Sequence, residues 1–183
     1  MKKFLATMAT AAILIASSSA VSAASFSDIP KGHWAAPGVT AMADAGIIPP
    51  SADGKFYGDR AITRAEMAQM ASNLLLKVSP NSTADAKAIV QDWSKNGDKA
   101  LTRYEIALML ANVCEKAHKG NLPAAQNSFS DVPKNHWAAK SVSLMAAMEV
   151  MEGYGDGTFR GDKTMDRYGA ALVLNTLYKK LAN

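Results

Sequence analysis

The segment Phe26-Ser27-Asp28-Ile29-Pro30-Lys31-Gly32-His33-Trp34-Ala35-Ala36 recurs as Phe129-Ser130-Asp131-Val132-Pro133-Lys134-Asn135-His136-Trp137-Ala138-Ala139, an offset of 103 residues. The register holds without a gap through Asp53-Gly54 and Asp156-Gly157, Phe56 and Phe159, Gly58-Asp59 and Gly161-Asp162, and Arg64 and Arg167. One supersecondary unit is therefore used more than once. Such a unit has too small an apolar face to close a core alone, so the copies must pack on one another.

Each full unit reads as helix, loop, helix, which predicts an all-α fold. In the first, a helix over Ala36 to Ala45 is closed by Gly46, and Pro49-Pro50, Asp53-Gly54 and Gly58 mark a loop. A second helix runs from Arg64 to about Val78, with Met67, Met70, Ala71, Leu74, Leu75 and Val78 on one face at steps of three and four, and Pro80 stops it. The last unit repeats the plan, with a helix over Ala138 to about Met151, a glycine-rich loop over Glu152 to Thr164, and a helix over Arg167 to Leu181. Between them Leu101-Thr102-Arg103-Tyr104-Glu105-Ile106-Ala107 matches Ile62-Thr63-Arg64-Ala65-Glu66-Met67-Ala68. Ahead of it Thr83 to Ser94 suits a short helix, but the Phe-Ser-Asp lead-in and the long loop are missing. The expected organisation is a signal peptide over 1–23, a repeat over 24–80, a degenerate repeat over 81–120 and a repeat over 121–183.

The expected signal peptide rests on a basic start, Lys2-Lys3, an apolar run from Phe4 to Ala16, and small residues around Val21-Ser22-Ala23 that suit cleavage. Export follows. The mature chain of about 160 residues is large enough for a real core. Its formal charge falls from +4 to +2 once Lys2 and Lys3 are removed, so nucleic acid is not an expected partner. No segment after the signal reads as membrane-spanning. Cys114, the one cysteine, falls on an apolar helix face and is expected to be a small buried hydrophobe.

Thr63 and Glu66, and again Thr102 and Glu105, have capping-box spacing; in the third copy Asp166 can cap but Gly169 stands in place of the glutamate. Arg64, Arg103 and Arg167 all fall at the first helical position, where a cation opposes the helix dipole at a cost of up to about 1 kcal/mol. Two explanations stand open. One is an ion pair with a carboxylate from a neighbouring unit, such as Asp28 or Asp131. The other is an anion site, where free N–H groups of the helix start and the guanidinium share a negative ligand. Phe26, Trp34, Phe129 and Trp137 read as anchors between units, or as faces on which a sugar ring stacks. His33 and His136 read as residues leading into a helix, and one histidine per unit makes a poor metal site. The loop Tyr154-Gly155-Asp156-Gly157-Thr158-Phe159 lacks the alternating acids and closing glutamate of a calcium loop, so its Asp-Gly pair reads as a tight turn. No nucleophile elbow, zinc-protease motif or phosphate loop is present, which favours a binding module over an enzyme, with no cofactor and no metal expected.

Phe-Ser-Asp-Val-Pro with His-Trp-Ala, then Gly-Tyr-Gly-Asp-Gly-Thr-Phe, then Thr-Arg-Ala-Glu-Met-Ala resembles the S-layer homology (SLH) repeat, over about 26–78, a degenerate 84–118, and 129–181. The resemblance implies three repeats in a pseudo-threefold spindle around a central helical bundle, with ligand grooves between repeats. It implies a place in the cell envelope, in the periplasm or at the wall surface, with non-covalent attachment to peptidoglycan or to a wall-associated glycan polymer. It assigns ligand contact to Arg64, Arg103 and Arg167, with Trp34, Trp137, Asp28 and Asp131 as further candidates. Thr-Arg-Tyr-Glu and Phe-Arg-Gly-Asp are similar to SLH variants of Gram-negative-type envelopes, for which an amine-modified peptidoglycan is an alternative ligand. A cationic ligand would move the burden to Asp28, Asp59, Asp131 and Asp162. Either the protein decorates the wall itself, or it joins the wall to an envelope protein partner; an adaptor that binds no glycan is the rival reading.

Overall fold

The structure, a computed structural model, describes residues 26–117, 122–124 and 129–182. The segment read as an export signal lies outside the described residues. Six helices are described, α1 (Ala36–Asp44), α2 (Arg64–Val78), α3 (Thr83–Ser94), α4 (Arg103–Ala117), α5 (Ala139–Ala147) and α6 (Arg167–Ala182), and the described residues hold no strand beyond isolated bridges. The fold is all-α, as expected.

The long helices begin where the sequence places their caps. Thr63 is extended (φ −89°, ψ 162°), and its hydroxyl accepts from the Glu66 N–H while the Glu66 carboxylate accepts the Thr63 N–H at 3.0 Å. Glu105 accepts the Thr102 N–H at 3.0 Å, and the Thr102 hydroxyl accepts from the Glu105 N–H at 3.3 Å. At α6 only half of the box survives, with Asp166 accepting from the Gly169 N–H at 2.7 Å. Helix α5 is shorter than its periodicity predicts. It ends at Ala147, and Glu149 takes φ +55°, where Gly46 takes +75° after α1. Both sites use the same closing bonds, Glu149 N–H to Ala146 O and Val150 N–H to Met145 O against Gly46 N–H to Ala43 O and Ile47 N–H to Met42 O. A glutamate in the left-handed region carries no stop signal, so the apolar run through Val150 and Met151 reads as more helix.

The short outer helices do not cover their own partners. Helix α1 packs on α6, α3 on α2 and α5 on α4, while α2 touches both α4 and α6. Each helix pair thus closes the core of the pair before it in cyclic order, which is why no unit stands alone. The three long helices start from a shared ring of backbone bonds. Ile62 N–H donates to Met165 O (2.9 Å), Met165 N–H to Leu101 O (3.3 Å), and Leu101 N–H to Ile62 O (3.0 Å). Their side chains are buried beneath this pseudo-threefold ring. The expected stripes line the core, with Met67, Met70, Leu74, Ile106, Met109, Leu110, Leu174 and Leu177 all buried, and Cys114 is fully buried among them. Burial pushes the Cys114 thiol up to about 12, so it stays an uncharged hydrophobe. No helix of the described residues is long and apolar enough to cross a membrane.

Candidate functional site

Three seams radiate from the ring, one between each long-helix start and the loop of the next helix pair. The first two N–H groups of every long helix are satisfied there. Arg64 and Ala65 donate to Lys99 O (2.9 Å) and Gly97 O (3.0 Å); Arg103 and Tyr104 donate to Lys163 O (2.9 Å) and Gly161 O (2.9 Å); Arg167 and Tyr168 donate to Arg60 O (3.0 Å) and Gly58 O (3.1 Å). The expectation that these helix starts offer free N–H groups to a negative ligand is corrected by these bonds, since neighbouring carbonyls have taken the donors. Only side chains remain to meet a ligand.

Arg64, Arg103 and Arg167 occupy the first position of α2, α4 and α6, and the structure distributes them over three different seams. Arg167 is 9% exposed; its Nη1 meets Glu66 at 2.9 Å, its Nε donates to Phe56 O at 2.8 Å, and its guanidinium lies 4.8 Å from the Phe56 ring centroid. Arg64 meets Glu105 at 3.2 Å and lies 4.7 Å from the Trp93 ring centroid, while its buried Nε has no partner. Arg103 donates from Nε to Phe159 O (2.9 Å) and from Nη2 to Glu152 O (2.7 Å), over the Phe159 ring at 4.4 Å. The ion-pair reading thus holds for two arginines, but the partners are the capping-box glutamates of the next pair, not Asp28 or Asp131. Arg103 has no such partner because the equivalent of Glu66 is Gly169.

Asp28 and Asp131 serve the loops instead. Asp28 accepts the N–H groups of Phe56 (2.8 Å) and Tyr57 (2.7 Å), and Asp131 accepts those of Phe159 (2.7 Å) and Arg160 (2.7 Å). Burial works against the Asp28 charge, yet these two donors hold its carboxyl below the usual value. The repeated Phe-Ser-Asp is therefore a clamp between lead-in turn and loop. Phe26 and Phe129 anchor the same contact, 5.3 Å from Phe56 and 5.4 Å from Phe159. His33 and His136 lead into α1 and α5, each accepting at Nδ1 from a backbone N–H two residues on. Trp34 and Trp137 are 62% and 59% exposed.

Sequence reasoning missed the two residues that hold these seams shut. The Tyr168 ring lies 4.4 Å from His33, 5.9 Å from Trp34 and 5.5 Å from Phe56. Tyr104 repeats this with His136 (4.3 Å), Trp137 (5.8 Å) and Phe159 (5.8 Å). A Cβ on Gly58 would sit 2.1 Å from the Tyr168 ring, and one on Gly161 2.0 Å from the Tyr104 ring, so both glycines exist for close approach. The signal was present. Tyrosine follows the arginine only where the next helix pair carries the His-Trp lead-in, and Ala65 stands where it does not. Trp93 was also missed. It sits on α3, outside any repeated motif, and supplies the ring that Phe56 and Phe159 supply elsewhere.

The third-to-first seam opens into a hollow of about 410 Å³, lined by Pro49, Pro50, Lys55, Tyr57, Arg60, Glu66 and Arg167 among others. Arg60 makes a two-pronged pair with Glu66, one prong at 2.8 Å. Burial opposes the Glu66 charge, but the hydrogen bonds of Arg60 and Thr63 and the field of Arg167 bring its carboxyl down to about 2. With Lys55 beside two arginines and one carboxylate, the hollow carries surplus positive charge next to an exposed tyrosine face. Such a lining suits hydroxyl-rich or anionic ligands.

The S-layer homology domain matches this chain over residues 25–68 and 128–167. The stretch read as a degenerate repeat lies between these matches. Outer membrane protein SlpA of Thermus thermophilus is 45% identical over 53 residues, 29% of this chain and 6% of that protein. S-layer protein EA1 of Bacillus anthracis is 27% identical over 182 residues, 97% of this chain and 16% of that protein. The cellulosome-anchoring protein of Acetivibrio thermocellus is 26% identical over 154 residues, 84% of this chain and 26% of that protein. The chain therefore spans only a small part of the length of these relatives.

Proposed function

From the premise that this chain carries two S-layer homology domains, we propose that it is a non-catalytic, exported envelope-binding module. It attaches non-covalently to peptidoglycan or to a wall-linked polymer through the seams between its helix pairs. The observation that carries this reading is the third-to-first hollow, with Arg60, Arg167 and Lys55 around one glutamate and Tyr57 at its rim. Similarity to surface-layer and anchoring proteins supports it. In this reading Arg103 and Arg167 face the ligand, Trp34 and Trp137 offer exposed indole faces, and Asp28 and Asp131 hold the loops that shape the grooves. Arg64 and Arg167 are both paired, the one with Glu105 and Trp93 and the other with Glu66 and Phe56. Arg167 lines the 410 Å³ hollow, whereas Arg64 lines none of the hollows described, which makes Arg64 structural in this reading.

Co-sedimentation with purified sacculi tests the proposal. The chain is expected to be retained, Arg103→Ala with Arg167→Ala to be released, and Arg64→Ala to remain bound if it stays folded. Sacculi stripped of accessory polymers by acid separate direct peptidoglycan binding from polymer binding. No retention on either preparation leaves the rival adaptor reading, which the occupied first-to-second seam favours.

A further inference from the structure

The third-to-first seam is longer than one hollow. Tyr57 and Arg60 wall both the 410 Å³ hollow and a second of about 240 Å³, which holds Asp28, Gly58 and Asp59. Tyr168 walls that second hollow and also a third of about 210 Å³, bounded by Trp34, Pro37 and Leu172. The three hollows are therefore neighbours in a line, each sharing a wall with the next. Along the line the lining changes from cationic to acidic to apolar. Trp34, Tyr57 and Leu172 are 62%, 44% and 48% exposed, so three of the four large exposed hydrophobic residues among those described lie on this one track.

The second-to-third seam does not repeat it. The equivalents of Tyr57 and Pro37 are Arg160 and Lys140; Lys140 pairs with Glu115 at 3.4 Å, and Leu108, the equivalent of Leu172, is half-buried. The track is thus a property of one seam and not of the repeat.

We propose that the third-to-first seam binds several consecutive sugar rings of a linear glycan strand, with Trp34 as the outermost stacking platform. Each pyranose has a polar rim and two apolar faces, and the track offers polar groups (Arg167, Arg60, Asp59) for the rim together with exposed aromatic faces (Tyr57, Trp34). A socket for one terminal sugar would need only the first hollow. The inference rests on the wall-binding reading and adds the length and the direction of the ligand.

The test is calorimetric titration of the chain with peptidoglycan glycan fragments of one, two and three disaccharide units. Affinity is expected to rise about tenfold or more from one unit to three, the scale of one or two aromatic contacts. Trp34→Ala is expected to remove most of that rise, its loss growing with fragment length. Leu172→Ser, on the facing wall, should act in the same direction while leaving the Trp34–Tyr168 contact in place, and Lys140→Ala should leave the rise intact. Equal affinity for all three lengths, or a Trp34→Ala loss equal at every length, overturns the extended track while wall binding stands. Absence of binding at every length by a folded chain overturns this inference, and the wall-binding reading falls with it only if intact sacculi also fail to retain the chain.

Discussion

The third-to-first and second-to-third seams are built from equivalent residues, yet they differ in charge. At the first of these, Glu66 lies between Arg60 and Arg167 and accepts from both. At the other, the equivalent position is Gly169, and Arg103 and Lys163 have no carboxylate between them. The Tyr154 ring stands in that space, with Arg160, Arg103 and Lys163 at 4.2, 5.4 and 5.6 Å from its centroid. Arg160 has its own partner in Asp156 at 2.7 Å, so Arg103 and Lys163 form the surplus. One residue in the first turn of the next long helix thus decides whether the paired cations of a seam share a carboxylate or have none between them. The backbone tolerates the change because Asp166 takes over the cap of α6. The lesson is that the repeat preserves the geometry of the seam and varies its charge.

The largest effect is expected from changes that force the seams apart. Gly58→Ala and Gly161→Ala place a methyl group inside a tyrosine ring, and each should cost about 1–3 kcal/mol in denaturant unfolding. Gly97→Ala faces only the Ala65 Cβ at 3.1 Å and the Ser94 carbonyl at 3.2 Å, and its cost should stay below about 1 kcal/mol. Equal costs at all three would break the claim that tyrosine on glycine closes two seams and not the other.

Glu66→Gln should come next. It removes charge-assisted bonds to two arginines, for an expected loss of about 1–2 kcal/mol at neutral pH, lowered from the buried-pair value because Arg60 is nearly half exposed. The folded carboxyl is depressed to about 2, well below its ordinary value of about 4.5. Its contribution is therefore complete above the unfolded value and fades as pH falls from about 4.5 towards 2. Thermal unfolding across that window should show a steeper acid limb in the native chain than in Glu66→Gln; identical limbs would remove Glu66 from the account of the seam.

The smallest effect sharpens the charge comparison. Gly169→Glu should supply the partner Arg103 lacks and raise helix propensity, a gain of up to about 1 kcal/mol in unfolding free energy. The new Cβ meets Met165 Cγ at 3.0 Å and Asp166 Oδ1 at 3.2 Å, both on side chains able to shift. If wall binding depends on the cationic seam, the same change should weaken retention on sacculi. Unaltered retention would assign the binding to the third-to-first seam alone.

Much of this molecule could be read along the chain. The limits of α2 and α3, the capping boxes at Thr63 and Thr102, the half-box at Asp166 and the buried stripes all follow from hydrogen bonds within four residues or from helical periodicity. Where such a local cue was absent, the reading failed, as at Glu149, which does the work of Gly46 without being a glycine. The amino-acid sequence by itself thus determined that helix-loop-helix units must combine and where each arginine stands on its helix. Only the tertiary structure decided what each arginine meets. Arg64 finds Glu105 and Trp93, Arg167 finds Glu66 and Phe56, and Arg103 finds carbonyls and rings, because cyclic packing brings each helix start against the following pair. Local hydrogen bonding and periodicity carry no information about contacts made across such distances in the chain. The closure of the ring at Ile62, Leu101 and Met165 supplies it.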